Sequence, residues 1–265
     1  MKVRIPVPRE HGAWAMLYGP LVVAVATIGR FEWSVLLFLV AVTAVFLAHE
    51  PLATVARSSS SRAVNAERLR QSRRWLIIYF AIAAGATAPL LVYYQRLYLI
   101  MFGALLGALL MLHIYLASKR AERKIMGEFL GVLSLTLTAP GAYYIVQGRF
   151  DKLSLLLWVL NMLYFTSAIF YVKMRVSKFA KKKESSLLTW QCTVYHAFLL
   201  VFISSLVWLG WIPGVVFLAF VPIILRAFWA MASREFRLNL KRIGFTELGY
   251  TMVFVVFLVW GLRLS

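Results

Sequence analysis

Residues 31–56 read FEWSVLLFLVAVTAVFLAHEPLATVA, an apolar run whose charged residues lie close to its two ends. A bilayer core about 30 Å thick requires roughly 20 apolar residues in one helix, so this run is long enough to cross a membrane. The chain contains nine runs of this kind: Ala13–Gly29, Phe31–Ala56, Trp75–Tyr94, Leu97–Ala117, Ile125–Val146, Leu153–Val172, Ser186–Leu209, Val215–Met231 and Phe245–Leu262. The sequence therefore predicts an all-α polytopic membrane protein with nine transmembrane helices, forming a single integral membrane domain over residues 1–265.

The composition excludes several other classes of protein. Of the 265 residues, 62% are hydrophobic and 15% are charged, and a single water-soluble globule cannot bury so much apolar surface. A soluble enzyme, a coiled coil and a disordered chain are therefore excluded. Cys192 is the only cysteine, which excludes an intrachain disulfide and a cysteine-based zinc or iron–sulfur site. Asp151 is the only aspartate, and this scarcity limits the metal chemistry considered below.

The positive charges predict the orientation of the spans. With nine spans, 24 of the 29 Lys and Arg residues fall on the side of the N-terminus and five fall on the other side. Because cytoplasmic loops are enriched in Lys and Arg, we expect a cytoplasmic N-terminus and an external C-terminus, in a bacterial or archaeal plasma membrane. The net charge of +19 is spread over separate loops, which favours attraction to anionic membrane lipids. Nucleic acid is not an expected partner, because no soluble domain presents these charges to a groove.

Ionisable side chains near the span ends are the candidate functional residues. Each is unfavourable in lipid unless it faces protein, water or a ligand. The candidates are Glu10 and His11 before the first span, His49, Glu50 and Arg57 at the end of the second, Glu128 at the start of the fifth, Lys173 and Arg175 at the end of the sixth, Arg226 in the eighth and Glu247 at the start of the ninth. By the predicted topology, all of them lie on the cytoplasmic side. Glu50 and Arg57 share a helix face, so a buried ion pair is one interpretation.

Simpler structural roles remain open for these residues. Glu128 and Glu247 would be stabilised by the helix dipole in a first turn. Lys173 and Arg175 could anchor a helix end by extending toward lipid phosphates. His49 and Glu50 could be a locally satisfied pair.

The four histidines, His11, His49, His113 and His196, raise the question of haem ligation. Two of them would have to face each other across helices, and their spacing does not favour this arrangement, so haem is not an expected cofactor. A zinc-protease helix is excluded, because Ala53 stands where the second histidine of that motif would be.

Two segments carry a family resemblance. The segment GEFL at 127–130, continuing through APGAYYIVQGR at 139–149, resembles the fifth span and following turn of the UbiA superfamily of membrane prenyltransferases. The opening REHGAW at 9–14, followed by Gly19-Pro20, is more similar still to the YwiC-like membrane proteins. The resemblance implies a helical bundle around a central cavity that opens to the cytoplasmic side and laterally to lipid.

The resemblance also implies where a metal site would lie. Active members of the UbiA superfamily carry an Asn/Asp-rich motif after the second span and a second Asp motif after the sixth, which hold magnesium on an isoprenoid diphosphate. In this chain the first place holds His49, Glu50, Thr54 and Arg57, and the second holds Lys173, Met174, Arg175, Ser177 and Lys178. Neither place contains an aspartate, so magnesium at the usual site is not expected.

The replacement of acids by bases predicts a different ligand chemistry. Mg²⁺ prefers several carboxylate oxygens, and a single glutamate is too few. Arg makes bidentate bonds to phosphate and Lys supplies a point charge, so Arg57, Lys173 and Arg175 are suited to an anionic head group without metal. Glu128, His11 and Glu10 are further candidates for binding this head group. Glu50 or His49 would be the acid–base group if a reaction occurs, because an imidazole has an unperturbed pKa near 6.5.

Several functions agree with these residues. The favoured one is a UbiA-like membrane protein that binds an isoprenoid, a quinone or another lipid with a polar head, alone or as part of a membrane complex. The first alternative is a metal-independent enzyme that transfers a prenyl or lipid group. The second alternative is a small-molecule transporter, which would require broken helices in matched halves.

Overall fold

The fold is entirely helical over the residues that the computed structural model describes. These are 11–60, 66–118, 124–180, 185–233 and 240–264, and they contain helices and short connections without a strand. The helices are α1 (His11–Ile28), α2 (Trp33–Ser60), α3 (Ala66–Val92), α4 (Leu99–Ser118), α5 (Ile125–Thr136), α6 (Thr138–Gln147), α7 (Lys152–Phe179), α8 (Ser185–Trp208), α9 (Gly214–Ala232) and α10 (Leu240–Arg263). Eight segments of the described chain are long and apolar enough to cross a membrane, and α1 is a shorter apolar helix. The predicted all-α membrane fold is therefore confirmed.

Several helices are longer than the apolar runs that predict them. The second span extends to Ser60 instead of Ala56, and α3 begins at Ala66 instead of Trp75. At 1.5 Å per residue, α2 is about 42 Å long, which exceeds a bilayer core of about 30 Å. Much of the region predicted as a basic loop is therefore helix. Arg68, Arg70, Arg73 and Arg74 are exposed on the first turns of α3.

The fifth predicted span is divided into α5 and α6 at Leu137. Pro140 lies in the first turn of α6, where its missing N–H and its ring are incompatible with a continuous α5. The Thr138 hydroxyl donates to the Leu17 carbonyl of α1 at 2.8 Å, and it also lies 2.9 Å from the Leu135 carbonyl. The bond to Leu17 therefore connects the start of α6 to α1.

The α5–α6 segment and α7 form the inside of the bundle. In an 18-residue apolar stretch of Ile125–Gln147, 72% of the residues are buried, compared with 11% of those in Leu99–Leu116 of α4, which places α4 at the periphery. The centre of α6 packs tightly against α2. A Cβ atom added to Gly141 would lie 2.5 Å from Cζ of Phe38, so only glycine allows this approach. The interior is thus filled by packed side chains at the level of α6.

The two ends of the bundle differ in charge. We define the basic end as the one at which α2, α4, α7 and α9 end and α3, α5, α8 and α10 begin. At the opposite end, arginines bind the last carbonyls of helices. Arg96 Nε donates to Ile145 O at 2.9 Å, Arg30 Nη2 donates to Val146 O at 3.2 Å, and Arg263 Nε donates to Ala26 O at 2.7 Å. Such contacts satisfy C-terminal carbonyls and complement the helix dipole.

The single aspartate has a structural role at this opposite end. Asp151 caps α7, where its Oδ1 accepts from the backbone N–H groups of Leu153 and Ser154, and the Ser154 hydroxyl completes a capping box. The Tyr143 hydroxyl of α6 donates to Asp151 Oδ2 at 2.6 Å. Asp151 therefore fixes the turn between α6 and α7 and lies at the other end of the bundle from the predicted site residues.

Candidate functional site

Lys173 and Glu128, two of the predicted site residues, form an ion pair between α7 and α5. Lys173 Nζ lies 2.9 Å from Glu128 Oε1, and the two side chains are 20% and 38% exposed. Glu128 occupies the first turn of α5 and Lys173 lies about two turns before the end of α7, so the pair is at the basic end. This partial exposure leaves both charges accessible to a ligand from the membrane surface.

An apolar groove begins beside this ion pair. We refer to it as the α5–α7–α8 groove; it has a volume of about 230 Å³ and is lined by Ile125, Met126, Phe129, Thr166, Ile169, Phe170 and Tyr195. Ile169 and Phe170 precede Lys173 by one helical turn, and Glu128 is adjacent to Phe129, so the charged pair lies beside the groove. Met126 is 65% exposed, so the groove opens on the surface of the bundle.

The far part of the groove contains a polar spot. The Tyr195 hydroxyl donates to the Leu163 carbonyl at 2.7 Å, and the Thr166 hydroxyl lies next to it. The ring of Tyr195 stacks on Phe170 with centroids 4.7 Å apart. The groove therefore offers an apolar wall with one polar position, in addition to the ion pair beside it.

Arg175 does not join Lys173 on the same face of α7. Residues two positions apart in an α-helix are separated by about 200° around its axis, so the side chains of Lys173 and Arg175 leave α7 in nearly opposite directions. The Arg175 charge acts on Tyr171 and Lys178, and Lys178 Nζ donates to the Met231 carbonyl of α9 at 3.1 Å. Lys173 thus faces α5, whereas Arg175 lies on the side of α7 that includes these residues.

The structure places His49 against His113, so two of the four histidines do face each other across helices, an arrangement that their spacing does not favour. His49 Nε2 lies 2.9 Å from His113 Nδ1, and the ring centroids of these residues of α2 and α4 are 4.9 Å apart. The Arg57 charge acts on the His49 ring. Glu50, the residue that follows His49, is exposed on the surface of α2. The roles predicted for His49, Glu50 and Arg57 in acid–base chemistry and head-group binding stay predictions.

Glu10 lies outside the residues that the structure describes. His11 begins α1, but its side chain is also outside the described part of the structure. The predicted contribution of these two residues to head-group binding therefore stays a prediction.

A buried charged cluster lies between α7, α9 and α10. Arg226 and Glu247 form an ion pair whose side chains are only 5% and 20% exposed. The guanidinium carbon of Arg226 lies 3.9 Å from the ring centroid of Tyr171 and 4.9 Å from that of Tyr250. Arg226 Nε and Nη2 are buried and have no hydrogen-bond partner among the described residues. An arginine in this environment depends on Glu247 and on the two ring faces for its stabilisation.

The sequence identifies Arg226 and Glu247 singly but does not pair them. Their separation of 21 residues spans a connection between two helices, so no helical periodicity applies across it. The available signal is the isolation of Arg226 within an apolar run, because an intramembrane charge requires a partner.

The buried histidine His196 has contacts at both ring nitrogens. Its Nε2 lies 3.1 Å from the Ser167 hydroxyl of α7, and its Nδ1 lies 2.8 Å from the Cys192 carbonyl. The side chain connects α7 with α8 at a fully buried position.

A second groove lies between α1, α2 and α3. It has a volume of about 250 Å³ and is lined by Tyr18, Leu39, Val40, Thr43, Ala44, Leu47, Tyr79 and Ile82. Tyr18 and Thr43 hydroxyls are 3.0 Å apart, which satisfies both within the protein. Like the α5–α7–α8 groove, it has no charged side chain among its lining residues.

These features define a polytopic α-helical membrane protein with ionisable residues at its basic end and apolar grooves between helices. The chain matches the family described as YwiC-like protein over residues 7–143, and it belongs to that family. It is 28% identical over 242 residues to "Uncharacterized protein YwiC" of Bacillus subtilis (strain 168), which covers 91% of this chain and 92% of the relative.

A second relative comes from Haemophilus influenzae (strain ATCC 51907 / DSM 11121 / KW20 / Rd) and is described as "Uncharacterized protein". It is 26% identical over 194 residues, which are 73% of this chain and 75% of the relative. No solved structure matches the chain significantly. These comparisons show the family, while the function has to be argued from the site.

Proposed function

We propose that this protein binds an amphipathic lipid of the isoprenoid or quinone type, with its chain in the α5–α7–α8 groove and its polar head at Lys173 and Glu128. The observation that carries the proposal is the position of a partly exposed ion pair beside an apolar groove. A groove without a charge would fit an ordinary membrane lipid chain, and a charge without a groove would fit a surface anchor. Their combination matches a molecule that has both parts.

The chemistry of the head favours an anion or a strong hydrogen-bond acceptor. The Lys173 ammonium is a compact positive charge whose N–H groups are donors, which suits the oxygens of a phosphate or a quinone carbonyl. A charge-assisted hydrogen bond contributes about 1.5–3 kcal/mol, which corresponds to roughly tenfold or more in affinity. The volume of about 230 Å³ is below the 300–1,000 Å³ typical of drug-sized ligands, which favours a narrow chain extending into lipid.

A UbiA-like bundle with a cavity open to the cytoplasmic side is part of this proposal. Two features support it: the basic end that gathers Lys173, Glu128, His49 and Arg57, and the lateral opening beside Met126. In the enzyme version, the same groove would bind a prenyl or lipid substrate. A cytoplasmic location of the basic end agrees with the distribution of positive charges.

Ligand binding can be tested on the full chain in lipid nanodiscs. Farnesyl diphosphate serves as an anionic isoprenoid probe, and decylubiquinone serves as a neutral one. We expect Lys173→Ala to weaken farnesyl diphosphate binding by about tenfold or more, as calculated above. Lys152→Ala is the matched control, because Lys152 lies at the opposite end and its Nζ is 4.3 Å from the Trp211 ring centroid.

A reversed pair separates head-group binding from structural support. The double variant Lys173→Glu with Glu128→Lys keeps an ion pair between α5 and α7 but moves the cation to the other helix. We expect its stability to remain near that of the wild type while anionic probe binding changes. Equal binding of both probes by wild type, Lys173→Ala and the reversed pair would exclude the proposed head-group site. Turnover of either probe would support the transferase alternative.

A further inference from the structure

The contact between His49 and His113 lies outside the groove and is not used by the proposed lipid site. The two imidazoles belong to α2 and α4, and the two histidines are 64 positions apart in sequence. Their facing nitrogens are 2.9 Å apart, and the rings are tilted by 57°. The pair therefore brings one ring nitrogen from each of two helices into direct contact.

We infer that His49 and His113 bind a divalent transition-metal ion between α2 and α4. In a tetrahedral zinc site with Zn–N distances of 2.0–2.1 Å, two ligand nitrogens lie about 3.3 Å apart. The observed separation differs from this value by only about 0.4 Å, a shift that a change of side-chain rotation can supply. Imidazole suits zinc, copper and nickel, whereas magnesium and calcium require oxygen ligands.

The proton balance of this binding is simple. In the hydrogen-bonded pair, one facing nitrogen carries a proton and the other accepts it. Metal binding requires a lone pair on both nitrogens, so the donating imidazole takes its other tautomer and no proton is lost overall. The described residues contain no group of three or more His, Cys, Asp and Glu side chains placed to bind a metal. The remaining coordination positions are filled by water or by an external ligand.

The surroundings of the pair allow access and set its affinity. His49 lies 16 residues after Trp33, so it is about 24 Å along α2, close to the basic end of a core about 30 Å thick. Both side chains are half-buried, which leaves a path for a hydrated ion. The positive charge of Arg57 acts on His49 and opposes a second cation, so removing that charge should strengthen binding.

Zinc titration tests this site on the full chain, purified through a tag without histidine and placed in nanodiscs. We expect one Zn²⁺ per chain. Loss of a residue that only hydrogen-bonds to a metal ligand weakens metal binding by about 10–100-fold. Loss of a ligand itself has a larger effect, so His49→Gln or His113→Gln should weaken zinc binding by more than about 100-fold. Arg57→Gln should tighten it, and His196→Gln, a matched change at a histidine that bonds Ser167, should leave it unchanged.

Copper provides a measurement that needs no variant. Electron paramagnetic resonance of the wild type with one equivalent of Cu²⁺ should show hyperfine coupling to two imidazole nitrogens. Zinc should also raise the melting temperature of the wild type and of His196→Gln, but not that of His49→Gln. Absence of two-nitrogen coupling, or equal zinc affinity in wild type and His49→Gln, would overturn the inference. Neither result depends on lipid binding at Lys173.

Discussion

Replacing Glu247 with alanine removes the carboxylate that pairs with a buried arginine. The Arg226 side chain is 5% exposed, and its guanidinium contacts the faces of Tyr171 and Tyr250. An arginine does not lose its proton in a protein, so it cannot escape the loss of its partner by becoming neutral. The variant therefore leaves an uncompensated charge in the bundle, while the two aromatic rings retain only part of its stabilisation.

The expected magnitude follows from this burial. Removal of one partner of a buried ion pair destabilises a protein by about 3–5 kcal/mol, whereas replacement of both partners by apolar residues is often neutral or stabilising. We therefore expect Glu247→Ala to lower the free energy of unfolding by about 3–5 kcal/mol. In a double-mutant cycle, Arg226→Met and Glu247→Leu should each destabilise the protein alone, and the double variant should recover most of that loss, giving a coupling energy of about 3 kcal/mol or more.

An exposed pair in the same chain is the matched control. Arg30 and Glu32 form an ion pair of 2.7 Å with side chains 63% and 28% exposed. Exposed pairs contribute about 1 kcal/mol or less, so Glu32→Ala should have a small effect. Unfolding can be followed in mixed detergent micelles by far-ultraviolet circular dichroism. The reasoning is refuted if Glu247→Ala and Glu32→Ala have equal effects, or if the double variant is as unstable as the sum of the single variants.

Three further predictions concern the fold and its orientation. Gly141→Ala should lower the free energy of unfolding by about 1–3 kcal/mol, because the added Cβ would lie 2.5 Å from Phe38. Adding Phe38→Leu to this variant should restore part of the lost stability in the same micelle assay. If Gly141→Ala is as stable as the wild type, the tight contact between α2 and α6 is contradicted. Asp151→Ala should lower the free energy of unfolding by about 0.5–2 kcal/mol through loss of the helix cap, and further through loss of the hydrogen bond from Tyr143. Asp151→Asn should be less destabilising, because Asn also caps helices. Equal effects of the two variants would show that the cap contributes nothing. Alkaline phosphatase fused after Leu264 should be active if the C-terminus is external, and the same enzyme fused in the α9–α10 connection should be inactive; the reverse pattern would invert the topology.

The sequence predicts the spans because membrane insertion depends on local length and hydrophobicity. Apolar runs of about 20 residues are visible without any tertiary information, and all of the predicted runs correspond to apolar helical segments. The interruption of the fifth span is also visible as Pro140 and Gly141. The helical extensions of α2 and α3 are not visible in this way, because they leave the apolar region and their polar residues do not distinguish a helix from a loop.

Pairings between helices are the part that the sequence does not provide. His49 and His113 are separated by 64 residues, and Lys173 and Glu128 by 45. Whether two such residues meet depends on the rotation and order of the helices, which the apolar packing of the whole bundle determines. The divergence of Lys173 and Arg175, in contrast, follows from a spacing of two residues and can be read from the sequence.

The arginines at the opposite end and the arginines on the first turns of α3 have different contacts, and this difference leads to a prediction about orientation. At the opposite end, Arg30, Arg96 and Arg263 donate to helix carbonyls, and Arg149 Nε lies 3.4 Å from Asp151 Oδ2. These cations are required by the fold on whichever side of the membrane they lie.

At the basic end, by contrast, the arginines of the first turns of α3 are exposed. Exposed cations within a Debye length of anionic lipid each contribute about 1 kcal/mol of attraction, and they are free to respond to the membrane surface. The orientation signal is therefore concentrated in this exposed group. Neutralising Arg68, Arg70, Arg73 and Arg74 together should disturb the topology while leaving the folded bundle as stable as before, whereas removing Arg96 should do the opposite.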